Sequence, residues 1–418
     1  MINQDFLGWL AFFVLILIFF LITKKHKETK NFLISAFIIR SLFVILDQYF
    51  ITLPESTGDA HSFEIKAFIY SEKYGLDIYS IILQEDSFFI SKFISIFYMV
   101  FDRSEMMAKM LSVGFGTGSV FLLYRLSLFI WDESSALKVG WFATFFPSLI
   151  LYSSVILREI YIVFFLTYAL INCVIFINKN KLIYFIKLSI GFFVASLFHG
   201  PIIIGFIIFL IYMFFVILKQ NNYFIRFKRK NLYLLILLPF FLLPLITYFL
   251  GYYSIPKIGS IKNLASSKYY KEQNKKLLLE ERIIWKINKA TRSSKNENGA
   301  SYQKWTIPND LKEIIYLTPV RMIYFLYSPF PWDIRRLAHI VGFFDGLLFM
   351  FLTYSVLQNY KNLYRNPQTR FLLLILFFYI LIYSFGVGNF GTSIRHRLKF
   401  VGVLIVLAAQ RIPRFKLF

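Results

Sequence analysis

The sequence predicts an all-α polytopic membrane protein, and three observations lead there. Of the 418 residues, 58% are apolar and the mean hydropathy is +0.61, far above the roughly half-apolar make-up of soluble domains. Apolar runs of about 17 to 25 residues, the length that crosses a hydrocarbon core of roughly 30 Å as a helix, recur along the chain. The basic residues collect in short connections between those runs: KKHKETK (24–30), NKNK (178–181), KQNNYFIRFKRK (219–230), YKNLYRNPQTR (360–370) and the tail RIPRFKLF.

The first run, Phe6 to Thr23, has no basic stretch before it and no small-residue cleavage site after it, so it is expected to stay as a helix rather than leave as a signal peptide. Runs near 32–50, 107–130, 139–157, 160–176, 183–198, 201–218 and 231–252 follow, then 338–357, 371–386 and 399–410. Short Lys/Arg-rich loops stay cytoplasmic, and with about eleven spans every basic connection falls on one side, placing the N-terminus outside and the C-terminus inside. Two stretches break the pattern. FFISKFISIFYMVF (88–101) is short and flanked by charge, so an amphipathic helix on the outer surface is expected. IIYLTPVRMIYFLYSPFPW (314–332) carries Pro319, Pro329, Pro331 and Arg321, and a re-entrant or interfacial segment is expected.

Residues 1–418 are thus expected to form a single polytopic domain with two long outer segments. One, about 51–106, holds the acidic stretches ESTGD, EKYGLD and LQEDS and room for one or two amphipathic helices; the other, about 253–318, is a polar insert patterned as a charged helix followed by a Ser/Asn/Gly stretch. The net charge of +23 does not indicate nucleic acid, because the cations are spread over membrane loops instead of one face of a soluble module. The lone Cys173 lies inside an apolar run and excludes a disulfide framework or a thiol metal site.

With the topology set by the basic loops, the remaining polar motifs all fall on the outer side. GDAHSFE (58–64) follows the second span, LREI (157–160) joins the fourth to the fifth, FHGP (198–201) joins the sixth to the seventh, SPFPWDIRR (328–336) precedes the ninth, and GNFGTSIRHR (388–397) joins the tenth to the eleventh. Ionisable groups at membrane depth are costly and mark candidate sites. Asp59, with Glu64 and His61 beside it, offers a general base; Asp59 and Glu64 can alternatively serve as ligands for a hard divalent cation such as Mg or Mn. Arg395 and Arg397 flanking His396, with Arg335 and Arg336, suit a phosphate or diphosphate at the membrane boundary, because guanidinium forks pair with phosphate oxygens. Arg158, Glu159, His199 and Asn389 are supporting candidates. Each motif also has a plain reading as a helix cap, a turn ion pair or an interfacial anchor.

The acidic GDAHSFE in the first long outer loop, the PSLILYSSVILRE helix pair and the late Arg-rich turn resemble the GT-C class of lipid-linked-sugar glycosyltransferases. Within it they are similar to protein-mannosyltransferase-like enzymes and surface-polysaccharide repeat-unit polymerases. The resemblance implies a GT-C-like fold in a bacterial cytoplasmic membrane, with the active face periplasmic. It also implies transfer of a sugar or oligosaccharide from a polyprenyl (di)phosphate donor to a saccharide or glycolipid acceptor, with Asp59 catalytic and Glu64 second. Asp59 is followed here by Ala60 and His61, whereas many members of the class carry a second acidic residue. No soluble acceptor-binding domain follows the last span, which argues against an oligosaccharyltransferase. A lipid-linked-saccharide flippase, which would need polar groups along a path through the bilayer, and a non-catalytic assembly protein are the alternatives.

Overall fold

The computed structural model of the protein describes residues 4–83, 88–219, 300–334 and 337–413. The expected span at 231–252, most of the polar insert, Arg335 and Arg336 lie outside the described residues. The described chain is helical throughout, and its β-pairing is confined to an isolated antiparallel bridge between Ser301 and Asn389. It divides into two compact units, Met1–Lys257 with Ile412–Phe418, and Ile258–Arg411.

The first unit contains α1 (Gln4–Lys25), α2 (Lys30–Tyr49), α3 (Asp59–Tyr74), α4 (Ile78–Leu83), α5 (Phe89–Phe101), α6 (Glu105–Ile130), α7 (Glu133–Phe145), α8 (Pro147–Ser153), α9 (Glu159–Lys179), α10 (Leu182–Phe198) and α11 (Ile204–Lys219). The second contains α12 (Leu311–Tyr327), α13 (Leu337–Gln358), α14 (Tyr360–Arg365), α15 (Pro367–Gly386) and α16 (Phe390–Ala408). Among the described residues six helices are long and apolar enough to cross a membrane, namely α1, α2, α6, α9, α13 and α15, or seven if α7 and α8 together make one bent span. The protein is therefore a multi-pass membrane protein. Helices α5 and α10 and the segment Gly200–Val216 are apolar but shorter.

In the first unit α6 is central and packs against α1, α2, α7, α8 and α9, while α9 pairs with α10. The segment expected as one span at 139–157 is instead two helices meeting at 60°. Pro147 is the cause: its ring disfavours helical geometry at the preceding residue, and Phe146 sits at φ −69, ψ 118. The break leaves the last carbonyls of α7 without helical partners. Arg40, fully buried in α2, supplies them. Its Nη2 donates to the Ala143 carbonyl (3.2 Å), its Nη1 to those of Thr144 (3.3 Å) and Ala36 (3.1 Å), and its Nε to Ser153 Oγ (3.2 Å). A cation at a helix C-terminus also complements the helix dipole.

In the second unit α12 packs against α13, α15 and α16, and α16 against α13 and α15. The helix α12 runs unbroken through Pro319 and stops at Tyr327, before Pro329 and Pro331. Two buried arginines close the C-terminal ends of α15 and α12. Arg321 of α12 donates to the carbonyls of Ser384 (3.2 Å), Phe385 (3.1 Å) and Val387 (2.9 Å) at the end of α15, and of Thr306 (3.0 Å). Arg397 of α16 does the same for α12, donating to the carbonyls of Leu326 and Ser328 (2.8 Å each). Gly346 of α13 allows this approach, since a Cβ there would collide with the Tyr327 carbonyl.

Candidate functional site

The sequence motif GDAHSFE sits on a braced platform in the first unit. Asp47, near the end of α2, accepts from the Leu53 backbone N–H (2.8 Å) and from Ser56 Oγ (2.7 Å), which sets the loop leading into α3. Lys109 of α6 bridges Asp47 and Glu105 (2.8 Å each) and donates to Gln48 Oε1 (3.1 Å). The loop then turns at Gly58, whose φ of +68 is readily accessible to glycine and strained for other residues. Asp59 is the first residue of α3 and, like His61, is exposed. A carboxylate in a first helical turn is favoured by the helix dipole, so Asp59 stands both as a stabilising first-turn acid and as an accessible base.

Glu64, one and a half turns further, is buried rather than open to substrate. Its Oε1 accepts from Arg103 Nε (2.9 Å) and Tyr98 hydroxyl (3.0 Å), and its Oε2 from Arg103 Nη2 (2.8 Å). Burial and the neighbouring carboxylate push the Tyr98 hydroxyl pKa up, so it stays a donor. Glu64 therefore does not fit the role of cation ligand or second base. Among the described residues no three His, Cys, Asp or Glu side chains come together to hold a metal ion. The expected amphipathic segment 88–101 forms α5, a helix shorter than a candidate span, which packs against α3 and buries Lys92 and Ser95 on that side.

Arg158 and Glu159 open α9, with Nε 3.7 Å from Oε1 and Glu159 buried. His199 ends α10 and opens the turn GPII. Between them Tyr161 packs against Phe93 of α5 (5.7 Å between centroids), stacks on Phe198 (5.2 Å) and meets Ser112 Oγ of α6 (3.2 Å). The first unit thus gathers the start of α9 and the end of α10 beside α5.

No family model and no curated protein matches the chain. The candidate sites of the second unit accordingly rest on their own geometry. The motif GTSIRHR is expected as a turn, but α16 begins at Phe390, because Asn389 Oδ1 accepts the Thr392 N–H (2.8 Å) and caps it. Helical steps of about 100° then send three consecutive side chains to three different faces. Arg397 turns inward to Asp345 of α13, with Nη2 at 2.8 Å and Nε at 3.2 Å from Oδ2. With a further bond to the Gly342 carbonyl (3.3 Å) and the two to α12, every one of its five N–H donors has a protein acceptor. A phosphate would have to displace those bonds, so the donor-binding role expected of Arg397 has no donor left to serve it.

His396 lies over the Tyr383 ring (4.9 Å) with Nδ1 2.7 Å from Lys399 Nζ, and Arg395 is half-buried. The segment before α12 is tied to the α16 cap: Tyr302 N–H donates to the Gly388 carbonyl (2.9 Å), Phe390 N–H to that of Ala300 (3.0 Å), and the Tyr302 hydroxyl meets Ser393 Oγ. Burial pushes the Tyr302 hydroxyl up to about 12. Asp333, from the motif SPFPWDIRR, accepts from Phe330 N–H (3.1 Å) and Gln303 Nε2 (3.2 Å).

Sequence reasoning missed Arg40, Asp47, Arg103, Lys109 and Asp345. For Arg40 and Asp345 a signal existed, a charge inside the runs FLISAFIIRSLFVIL and VGFFDGLLF, which at membrane depth calls for a partner.

Proposed function

We propose that the protein is a membrane-embedded glycosyltransferase that moves a sugar or oligosaccharide repeat unit from a polyprenyl (di)phosphate donor to a saccharide or glycolipid acceptor on the periplasmic face of a bacterial inner membrane. The observation that carries this reading is the exposed Asp59 at the start of a helix whose next turn is locked by the ion pair of buried Glu64 with half-buried Arg103. A carboxylate on a rigid mount, beside His61, suits a general base. In the reaction Asp59 takes the proton of an acceptor hydroxyl as its oxygen bonds to the donor's anomeric carbon. The bond from that carbon to the phosphate oxygen breaks, and the electron pair leaves with the phosphate. Separately, and in the second unit taken by itself, Arg395 with His396 is the phosphate-binding candidate left in the RHR motif.

The test is the surface-glycan profile of the native host after deletion and complementation. Deletion is expected to collapse a polymer ladder to one repeat unit or to remove a single sugar, and Asp59→Asn is expected to restore less than about 1% of the product, the scale on which general-base loss acts. Arg395→Ala tests the phosphate assignment by the same readout. Full rescue by Asp59→Asn would remove the base and leave a flippase or an assembly protein as the better reading.

A further inference from the structure

Arg103 follows α5 and meets Glu64 side-on, spending its Nε–H and one N–H of Nη2 on the two carboxylate oxygens. The Phe68 ring, one turn beyond Glu64 on α3, lies 4.4 Å from Cζ and supports the guanidinium from one face. A guanidinium carries five N–H donors in a fixed planar fork. Two on Nη1 and one on Nη2 remain, and none of them meets a partner among the described residues. The Arg103 side chain is 34% exposed, whereas Glu64 beneath it is 2% exposed. The carboxylate is therefore the buried anchor and the free edge of the guanidinium faces outward, the reverse of Arg397. Hydrogen bonding to Glu64 raises the Arg103 pKa, which keeps the charge in place. The nearby Glu105 carboxylate is paired with Lys109 at 2.8 Å.

We propose that the second fork of Arg103 binds a phosphate oxyanion, with Glu64, Tyr98 and Phe68 holding the guanidinium in register for it. A planar fork locked on one side loses little freedom when it takes a second oxyanion on the other. In the transferase reading, on which this one step rests, the oxyanion is a phosphate of the lipid-linked donor. The same chemistry would take the phosphate of an anionic headgroup.

The test uses the full wild-type chain and phenylglyoxal, which labels accessible arginines, read by peptide mass spectrometry. Arg103 is expected to label in maltoside micelles and to label about fivefold more slowly with saturating inorganic pyrophosphate, as a bidentate contact requires. The buried Arg40 and Arg397 are the unreactive controls. Slow labelling in phosphatidylglycerol nanodiscs without pyrophosphate would assign the oxyanion to a headgroup; protection by pyrophosphate alone would assign it to a substrate. An Arg103 that is unlabelled in bare micelles, or equally labelled in all three conditions, overturns the proposal. The transferase reading is tested by the surface-glycan profile and the Arg103 site by the labelling of the wild-type chain, so the two fail separately.

Discussion

Arg397→Leu is expected to destabilise the protein by about 3–5 kcal/mol, the cost of leaving a buried charge without its partner. The charge left behind is Asp345, itself buried, and the carbonyls of Leu326 and Ser328 lose their donor in the same step. The measurement is a thermal or denaturant melt of the purified protein in micelles, with near-UV ellipticity or tryptophan emission as the signal. Arg397→Lys should recover little, because one ammonium cannot reach two carbonyls at the end of α12, a third on α13 and a carboxylate at once. The double variant Arg397→Leu with Asp345→Leu should recover part of the loss, since two apolar side chains leave no charge buried. If Arg397 served a phosphate instead of the fold, Arg397→Leu would melt like wild type and lose only ligand binding.

Arg40→Leu should cost about 2–6 kcal/mol, taking about 1–3 for each of the Ala143 and Thr144 carbonyls left buried without a donor. Nothing else among the described residues is seen donating to those carbonyls where α7 breaks at Pro147. Ser153→Ala, which removes the acceptor of Arg40 Nε together with the hydroxyl's own bond to the Leu149 carbonyl, should cost about 1 kcal/mol. Comparing the two variants by melting midpoint separates the helix-end contribution from that of the Ser153 hydroxyl. Equal losses would mean that Arg40 acts through Ser153 and not through the broken helix.

Much of the site was legible in part. GDAHSFE promised an acidic, accessible motif, and Asp59 and His61 are exposed on α3. Glu64 was indistinguishable from them in sequence, because only the packing of α5 against α3 decides that it faces Arg103 across a buried boundary. In the RHR motif, three neighbouring polar side chains suggested one cluster. The cap at Asn389 starts the helix early enough to turn that cluster into three separate environments.

By itself the sequence determined that the chain is helical and crosses a membrane several times, because run length and hydropathy are local quantities that a bilayer reads directly. It did not show which prolines break a helix: the run 139–157 reads as one span yet breaks at Pro147, whereas α12 passes through Pro319 unbroken. Only the tertiary structure decided the work of the arginines. Arg40, Arg321 and Arg397 each close helix ends that are more than fifty residues away in sequence, and Arg103 keeps an open edge while Arg397 keeps none. A guanidinium's role depends on how many of its donors the fold has already satisfied, and that number is a property of the packed structure rather than of the local sequence.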